Sequence, residues 1–294
     1  RPYKIPHAIK DTVKTEVNRL VNIGVLSPNP RSEWAAPSFA IPKKDGRIRF
    51  VSDFRQLNKR AKRRPYPLPL IRELIESIGA LTFATAIDLS MGYYHMHLTD
   101  RAKDYCTIVL PWGKYAYNLL PMGFSGSSDV FQEALGSMFT DLERVLVYID
   151  DILVLGDETF EVHLELVSEV LTRLRDKGLQ VNPLKSFWAQ PEVEYLGFVI
   201  GQDGLRPQQK KIDAILAIKR PDNQRQLRRF VGMINYYKEM WRGRADTMQA
   251  LTAMTGKGVK FQWTQEMDAA FAKIKAILAE DTMLAYPRYG ERFH

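Results

Sequence analysis

Apolar residues recur along this chain with two periods, and the switches between them mark out its elements. Residues 8–26 put Val13, Val17, Leu20 and Val21 on one helical face, and Gly24 ends the helix. The stretch "SFAIPKKDGRIRFVSDF" predicts two strands joined by a turn at Asp45-Gly46. "RRPYPLPL" (63–70) is Pro-rich and extended, leading to a short helix over 71–78 and then the strand "TFATAIDLS". A helix over 126–139 would pack through Val130, Phe131, Ala134, Leu135 and Met138, and one over 160–177 through Leu164, Val167, Val170, Leu171 and Leu174. Between them lies an antiparallel hairpin with arms Val145–Ile149 and Ile152–Leu155. "VEYLGFVIGQDGLRP" predicts another hairpin, and three helices close the chain. They cover 208–219 (Ile212, Ile215, Leu216), 224–241 (Leu227, Phe230, Val231, Ile234) and 265–279 (Met267, Phe271, Ile274, Leu278). Asn223 with Gln226 suits a capping box, and Thr264 caps the last helix. The order αββ–αβ–αβ–αβ–ααα predicts an α+β body with a helical C-terminal part.

One stretch breaks the pattern. In "VLVYIDDILVLG" (145–156) the adjacent carboxylates Asp150 and Asp151 sit inside an apolar run, where desolvating a charge costs several kcal/mol unless something compensates it. Asp88, in "FATAIDLS", likewise follows an apolar strand. Read singly, the pair fits an ordinary polar hairpin turn and Asp88 a strand-end cap.

Composition is that of a globular chain: 45% hydrophobic and 26% charged over 294 residues, enough for about two compact units. No apolar run nears the ~18 residues of a membrane span, and no signal peptide opens the chain. The single Cys106 excludes an internal disulfide and a cysteine-based zinc site, and suits a reducing, intracellular setting. Arg1 in place of an initiator Met points to a piece of a longer polypeptide.

Charge changes the picture more. Residues 1–64 carry 16 Lys/Arg against 5 Asp/Glu, residues 65–160 carry 5 against 13, and the remainder 21 against 16. Basic regions attract phosphate backbones, and a carboxylate-rich centre attracts divalent cations. Three close carboxylates must share protons or be neutralised by cations. A pair of Mg²⁺ ions would do the latter and suit in-line phosphoryl transfer, which asks little else of a protein beyond positive charge and positioning. Solvated surface charge remains the plain alternative for the basic residues.

The residues that raise this chemistry also carry a resemblance. "YIDD" (148–151) resembles the Y-x-D-D motif, and "AIDLSMGYYHMHL" the first aspartate motif, of gypsy-type long-terminal-repeat retrotransposon reverse transcriptases. "LPMGFSGSSDVFQ" (120–132), "PKKDGRIRFVSDFRQLNK", "NPLK" (182–185) and "EYLGFVI" (194–200) resemble further motifs of that family, in its order. Ser128 stands where the family usually has Pro, and Met122 where many relatives have Gln or Phe.

The resemblance implies a right-hand polymerase with an antiparallel palm sheet backed by helices. Fingers would be 1–63 and 96–126, palm 64–95 and 127–204, thumb 205–258, and 259–294 the start of a tether to an absent ribonuclease H domain. It implies Asp88, Asp150 and Asp151 as catalytic metal ligands, with the Leu89 carbonyl completing the shell around two Mg²⁺ ions, or Mn²⁺. Lys43, Arg49, Tyr93, Met122 and Gly123 would bind the deoxynucleoside triphosphate, Tyr93 as the steric gate against a ribose 2′-OH. Lys185 is the candidate proton donor to pyrophosphate, Leu196, Gly197 and Phe198 the primer grip, and Arg228 and Arg229 loose phosphate contacts. The implied function is RNA- and DNA-directed DNA polymerisation in retrotransposon replication. Its partners would be RNA and DNA template-primers, dNTPs and the rest of a Pol polyprotein (ribonuclease H, integrase, protease). A dimer is one option, no membrane is involved, and the setting is a cytoplasmic particle or the nucleus rather than the cell exterior. The alternatives are an inactive polymerase-like domain that binds nucleic acid, and a metal-dependent nuclease.

Overall fold

The computed structural model describes residues 1–42, 48–79, 81–238 and 244–279. The chain forms two compact units. Unit 1 holds Arg1–Leu70, Ile87–Ile152 and Glu165–Ser186; unit 2 holds Ile71–Ala86, Leu153–Leu164 and Phe187–His294. The class is α+β, as the element order predicts.

In unit 1 helix α1 (His7–Asn22) buries Val13, Val17 and Leu20, one residue per turn along one face. That stripe joins Leu26, Ala36, Phe54, Ile108 and Tyr117 in a core beside a five-stranded sheet of order β1-β6-β5-β2-β3. Its strands are β1 (Leu26–Pro28), β2 (Ala36–Pro42), β3 (Ile48–Ser52), β5 (Thr107–Leu110) and β6 (Gly113–Tyr117). The β2–β3 hairpin pairs antiparallel from Ser38↔Ser52 to Pro42↔Ile48. Its expected Asp45-Gly46 turn, and Lys43, lie outside the described residues. Polar groups entering this core pair with one another: Ser38 Oγ donates to Ser52 Oγ at 3.2 Å, and Ser52 Oγ meets Tyr117 Oη at 2.9 Å. The β5–β6 hairpin is the main element that the apolar pattern left unassigned.

A second sheet has the order β7-β8-β4-β9, with β7 (Val145–Tyr148), β8 (Asp151–Gly156), β4 (Phe83–Asp88) and β9 (Phe187–Gln190). Strand β8 is interior, and Ile152, Leu153, Val154 and Leu155 are all fully buried. A strand covered on both faces shows a continuous apolar run, which accounts for this arm of the anomalous hairpin. After the short helices α2 (Arg55–Asn58), α3 (Ile71–Glu76) and α4 (Asp100–Tyr105), helix α5 (Ser127–Met138) buries Phe131 and Leu135 as expected, each removal from water contributing about 1.5–3 kcal/mol. Its other inward positions are Ser127, Asp129 and Gln132, whereas Val130 is exposed. Helix α6 (Phe160–Asp176) differs in the same way: His163 is buried and Leu164 exposed. In both helices specific hydrogen bonds, described below, outweigh the gain from burying one more aliphatic side chain.

Unit 2 contains a three-stranded meander, β10 (Glu192–Tyr195), β11 (Phe198–Gly201) and β12 (Gly204–Pro207), where a single hairpin was expected. Helices α7 (Gln209–Leu216), α8 (Gln224–Tyr236), α9 (Arg244–Ala253) and α10 (Gln265–Ala279) follow. Asn223 caps α8, its Oδ1 accepting from Gln226 N–H at 3.0 Å. Helix α9 buries only Thr247, Met248 and Leu251, too sparse a stripe for its periodicity to predict. Among the described residues no helix is long and apolar enough to cross a membrane.

Candidate active site

The hairpin that carries the paired carboxylates turns one residue earlier than expected. Ile149 and Asp150 form the turn, and Asp151 is the first residue of β8. Ile149 has φ +55°, a left-handed conformation that costs a β-branched residue about 1–3 kcal/mol. The compensation comes from α5. The Gln132 side chain, 3% exposed, accepts from Ile149 N–H through Oε1 at 2.7 Å and donates from Nε2 to Val147 O at 3.1 Å. One buried amide thereby holds both ends of the turn. Gln132 closes a quoted motif, but no role was assigned to it from sequence.

Asp88 ends β4. Its N–H donates to Ser186 Oγ at 3.1 Å and its carbonyl accepts from Asn182 N–H at 2.8 Å. Ser90 N–H donates to Gln180 O at 2.7 Å, so Leu89 and Val181 face each other as a non-hydrogen-bonded antiparallel pair. The Leu89 carbonyl, the expected fourth ligand, takes no part in that bridge. Lys185 Nζ lies 3.6 Å from Asp88 Oδ1, which makes it an ion-pair partner of this carboxylate.

Asp150 and Asp151 both feel the charge of Asp88. Asp150 is pushed up to about 6, first by burial and then by the charges of Asp151 and Asp88. The Asp151 carboxyl is also raised, by burial of the group and by the charge of Asp88, although the residue as a whole is exposed. Asp150 Oδ1 is buried and has no hydrogen-bond partner. Gly92 lies over it: a Cβ there would stand 3.2 Å from Asp150 Oδ1 and 2.7 Å from Phe131 Cζ, so any larger residue would displace the ring or the carboxylate.

Of the adjacent tyrosines, Tyr94 packs on the unit 1 core, and Tyr93 takes the side of the carboxylates. The Tyr93 ring packs on Phe131 at 5.1 Å, and its hydroxyl bonds Ser128 Oγ at 3.1 Å. Burial pushes the Tyr93 phenol up, the Ser128 bond opposes this, and the Asp150 charge adds to it. Ser128 therefore has a partner that Pro could not offer.

Arg49 is exposed on β3, opposite Ile41. Met122 is exposed, and Gly123 follows at φ +88°, a conformation that needs glycine, with room for a Cβ at only 3.4 Å from Ser52 O. Asn58 pins this loop, donating to Gly123 O at 2.9 Å and accepting from Ser125 N–H at 2.9 Å. Asp129, 2% exposed, binds Arg63 through both oxygens at 2.6 and 2.9 Å, and that guanidinium holds its carboxyl below the usual range. Sequence reading assigned no role to Asn58, Arg63 or Asp129. Their bonds reach 63 to 67 residues along the chain, so no local pattern signals them.

In unit 2, Leu196 and Gly197 form the two-residue β10–β11 turn and Phe198 opens β11. Arg228 and Arg229 are both exposed, and Arg228 also donates to Thr255 O at 2.8 Å and Gly256 O at 3.3 Å, tying down the segment that follows α9.

Among the described residues no three His, Cys, Asp or Glu side chains are gathered tightly enough to form a ready cation cage. The donors fit a hard divalent cation in kind: they are carboxylate oxygens, two with raised pKa and one buried without a partner.

Comparison with known proteins decides the family. The family described as reverse transcriptase (RNA-dependent DNA polymerase) matches residues 41–200. The chain belongs to the reverse transcriptase family. The match takes in all three aspartates, Gln132 and Tyr93, and reaches β11. This reverse transcriptase chain is 29% identical over 300 residues to the retrovirus-related Pol polyprotein from transposon 412 of Drosophila melanogaster, covering 99% of this chain and 24% of that protein. It is 29% identical over 294 residues to the transposon Tf2-3 polyprotein of Schizosaccharomyces pombe, covering 99% and 22%. The chain thus spans about a quarter of the length of these relatives. Among solved structures, the foamy viral protease-reverse transcriptase dRH in complex with double-stranded DNA matches with a TM-score of 0.89 at 25% identity, over 97% of this chain and 50% of that one. The foamy viral enzyme in complex with RNA/DNA hybrid matches at 0.83 and 24% identity, over 97% and 39%, a likeness of fold. The expected polymerase fold and family are therefore correct. Reverse transcriptases generally use divalent metals.

Proposed function

We propose that this reverse transcriptase chain is an RNA- and DNA-directed DNA polymerase that adds deoxynucleotides to a primer 3′-OH. The observation that carries the reading is the aspartate set. Burial and the charge of Asp88 disfavour ionisation of Asp150 and Asp151, and a buried oxygen of Asp150 lacks a partner, at a turn held by Gln132. Charge held at such cost suits a site built for cations. Asp88, Asp150, Asp151 and the Leu89 carbonyl would hold two Mg²⁺ ions, or Mn²⁺. When bound, the ions would supply Lewis acidity at the primer hydroxyl and at the leaving pyrophosphate.

The chain's own residues do the rest. Lys43 and Arg49 grip the triphosphate, and Met122 and Gly123 line the nucleotide. Tyr93, its ring fixed by Phe131 and Ser128, excludes a ribose 2′-OH. Lys185, beside Asp88, supplies a proton to pyrophosphate. Leu196, Gly197 and Phe198 hold the primer end. Residues 1–63 and 96–126 act as fingers, 64–95 and 127–204 as palm, 205–258 as thumb, and 259–294 begins the tether. Solved relatives bound to double-stranded DNA and RNA/DNA hybrid support template-primer as the partner. The polyprotein relatives support a place within a longer Pol chain that works inside the cell.

A second reading is a nucleic-acid-binding domain without chemistry, and the lack of a ready cation cage among the described residues favours it. Primer extension with Mg²⁺ on RNA and DNA templates in parallel tests both. Extension on both templates supports the polymerase. Duplex binding without extension overturns it in favour of the binding domain, and cleavage without nucleotides would point to a nuclease.

A further inference from the structure

The Leu196–Gly197 turn has an unusual occupant. It joins Tyr195 and Phe198, the last antiparallel pair of β10 and β11, and both of its residues are left-handed, at φ +45° and +84°. Such turns favour Asn-Gly or Gly-Gly, because a side chain with a Cβ resists positive φ. Leucine offers no side-chain hydrogen bond to offset this, so the conformation must be imposed from outside the turn.

The end of α8 imposes it. Tyr236 Oη donates to the Leu196 carbonyl, and Tyr237 Oη donates to the Gly197 carbonyl at 3.3 Å. Gln208 N–H adds a bond to Gly197 O at 3.1 Å. The Tyr236 ring lies against Gly197 so closely that a Cβ there would be 3.1 Å from Cε1. Phe198, the residue after the turn, stacks on Tyr236 at 5.8 Å and meets the edge of Tyr237 at 5.4 Å. The two tyrosine rings stand edge-on at 5.1 Å. Tyr236 as a residue is 43% exposed, and its hydroxyl bonds the Leu196 carbonyl.

We propose that Tyr236 and Tyr237 are positioning residues for the primer end: their hydroxyls hold the Leu196–Gly197 turn in the left-handed form that presents it to a nucleic-acid 3′ terminus. This rests on the reading of Leu196–Phe198 as the primer grip. Because both hydroxyls belong to the end of one helix, the placement of α8 within unit 2 is transmitted to the turn. Ring packing alone would survive loss of the hydroxyls; the turn geometry would not.

The test uses the full chain with Tyr236→Phe/Tyr237→Phe, which keeps both rings. A primer with a photoactivatable 3′-terminal nucleotide reports where its end lies, by mapping the adduct on the protein. Wild type should give an adduct within 195–198. The double variant should lose about tenfold in adduct yield there and in kcat for single-nucleotide addition, the scale of two modest hydrogen bonds. Duplex Kd should stay within about twofold, because phosphate contacts dominate it, and the melting midpoint should hold within a few degrees. Adding Leu196→Asn, which tolerates positive φ, should restore most of the adduct yield. No wild-type adduct at 195–198 would overturn the primer-grip reading and this proposal with it. A wild-type adduct with an unaffected double variant would overturn the positioning role alone, as would a loss that Leu196→Asn fails to rescue.

Discussion

Asp150→Asn should make the protein more stable and inactive at once. The substitution keeps the side-chain shape and removes one charge from the turn. Asp150 is held at about 6 against an ordinary 3.8, with burial the largest cause and the charges of Asp151 and Asp88 next. A difference of that size converts to at most ~3 kcal/mol against the ionised form. Solvent screening at a partly open site brings this to about 1–2 kcal/mol. The lower end is the better expectation, because the Asn amide would also occupy the partnerless position of Asp150 Oδ1. A raised carboxyl favours the folded state below its unfolded pKa and loses that advantage as pH rises. The penalty on wild type is therefore absent in the ordinary carboxyl range, builds toward about pH 6 and is complete above it. Thermal unfolding in EDTA should place the variant roughly 2–6 °C above wild type at about pH 7.5, with the gap closing toward about pH 4. Mg²⁺ should raise the wild-type midpoint more than the variant's, and primer extension by the variant should fall by about a thousandfold or more. A variant that melts at or below wild type at about pH 7.5, or a gap independent of pH, would refute the electrostatic reasoning. Extension at the wild-type rate would refute the metal assignment.

Three further outcomes are expected. Gln132→Leu removes both bonds that hold the Ile149–Asp150 turn and should cost about 2–3 kcal/mol of stability and ten- to a hundredfold in extension rate; a rate within twofold of wild type would show that the turn holds itself. Tyr93→Val should admit ribonucleotides, read as the ratio of kcat/KM for matched dNTP and rNTP, and unchanged selectivity would place the gate elsewhere. His163 is buried with its pKa lowered by burial, Nε2 bonded to Thr85 Oγ1 at 2.8 Å and Nδ1 without a partner. Its neutral form is thus the one the fold prefers, and the stability it contributes is present above about pH 6.5 and is lost as pH falls through its lowered folded pKa. His163→Gln should flatten that acid limb in thermal unfolding measured from about pH 7 to 4.5, and an unchanged limb would mean another group controls it.

Much of this protein follows from the order of its residues alone. Helical stripes such as Val13, Val17 and Leu20, and the unbroken apolar run of β8, define elements because burial rewards a repeat that each segment carries within itself. The aspartates stood out for the same reason in reverse: charge amid such runs is costly unless it serves a purpose. What the tertiary structure decided was which polar residues go inside. Val130 and Leu164 fit the helical stripes, yet Asp129, Gln132 and His163 take inward places, each next to a partner from another segment. The one-residue shift of the carboxylate turn has the same origin, since Gln132, 17 positions away, bonds the N–H of the left-handed Ile149. Tyr236 acts on Leu196 across 40 positions. A hydrogen bond needs its partner within about 3 Å and aligned, and for groups so far apart along the chain only the folded backbone determines that.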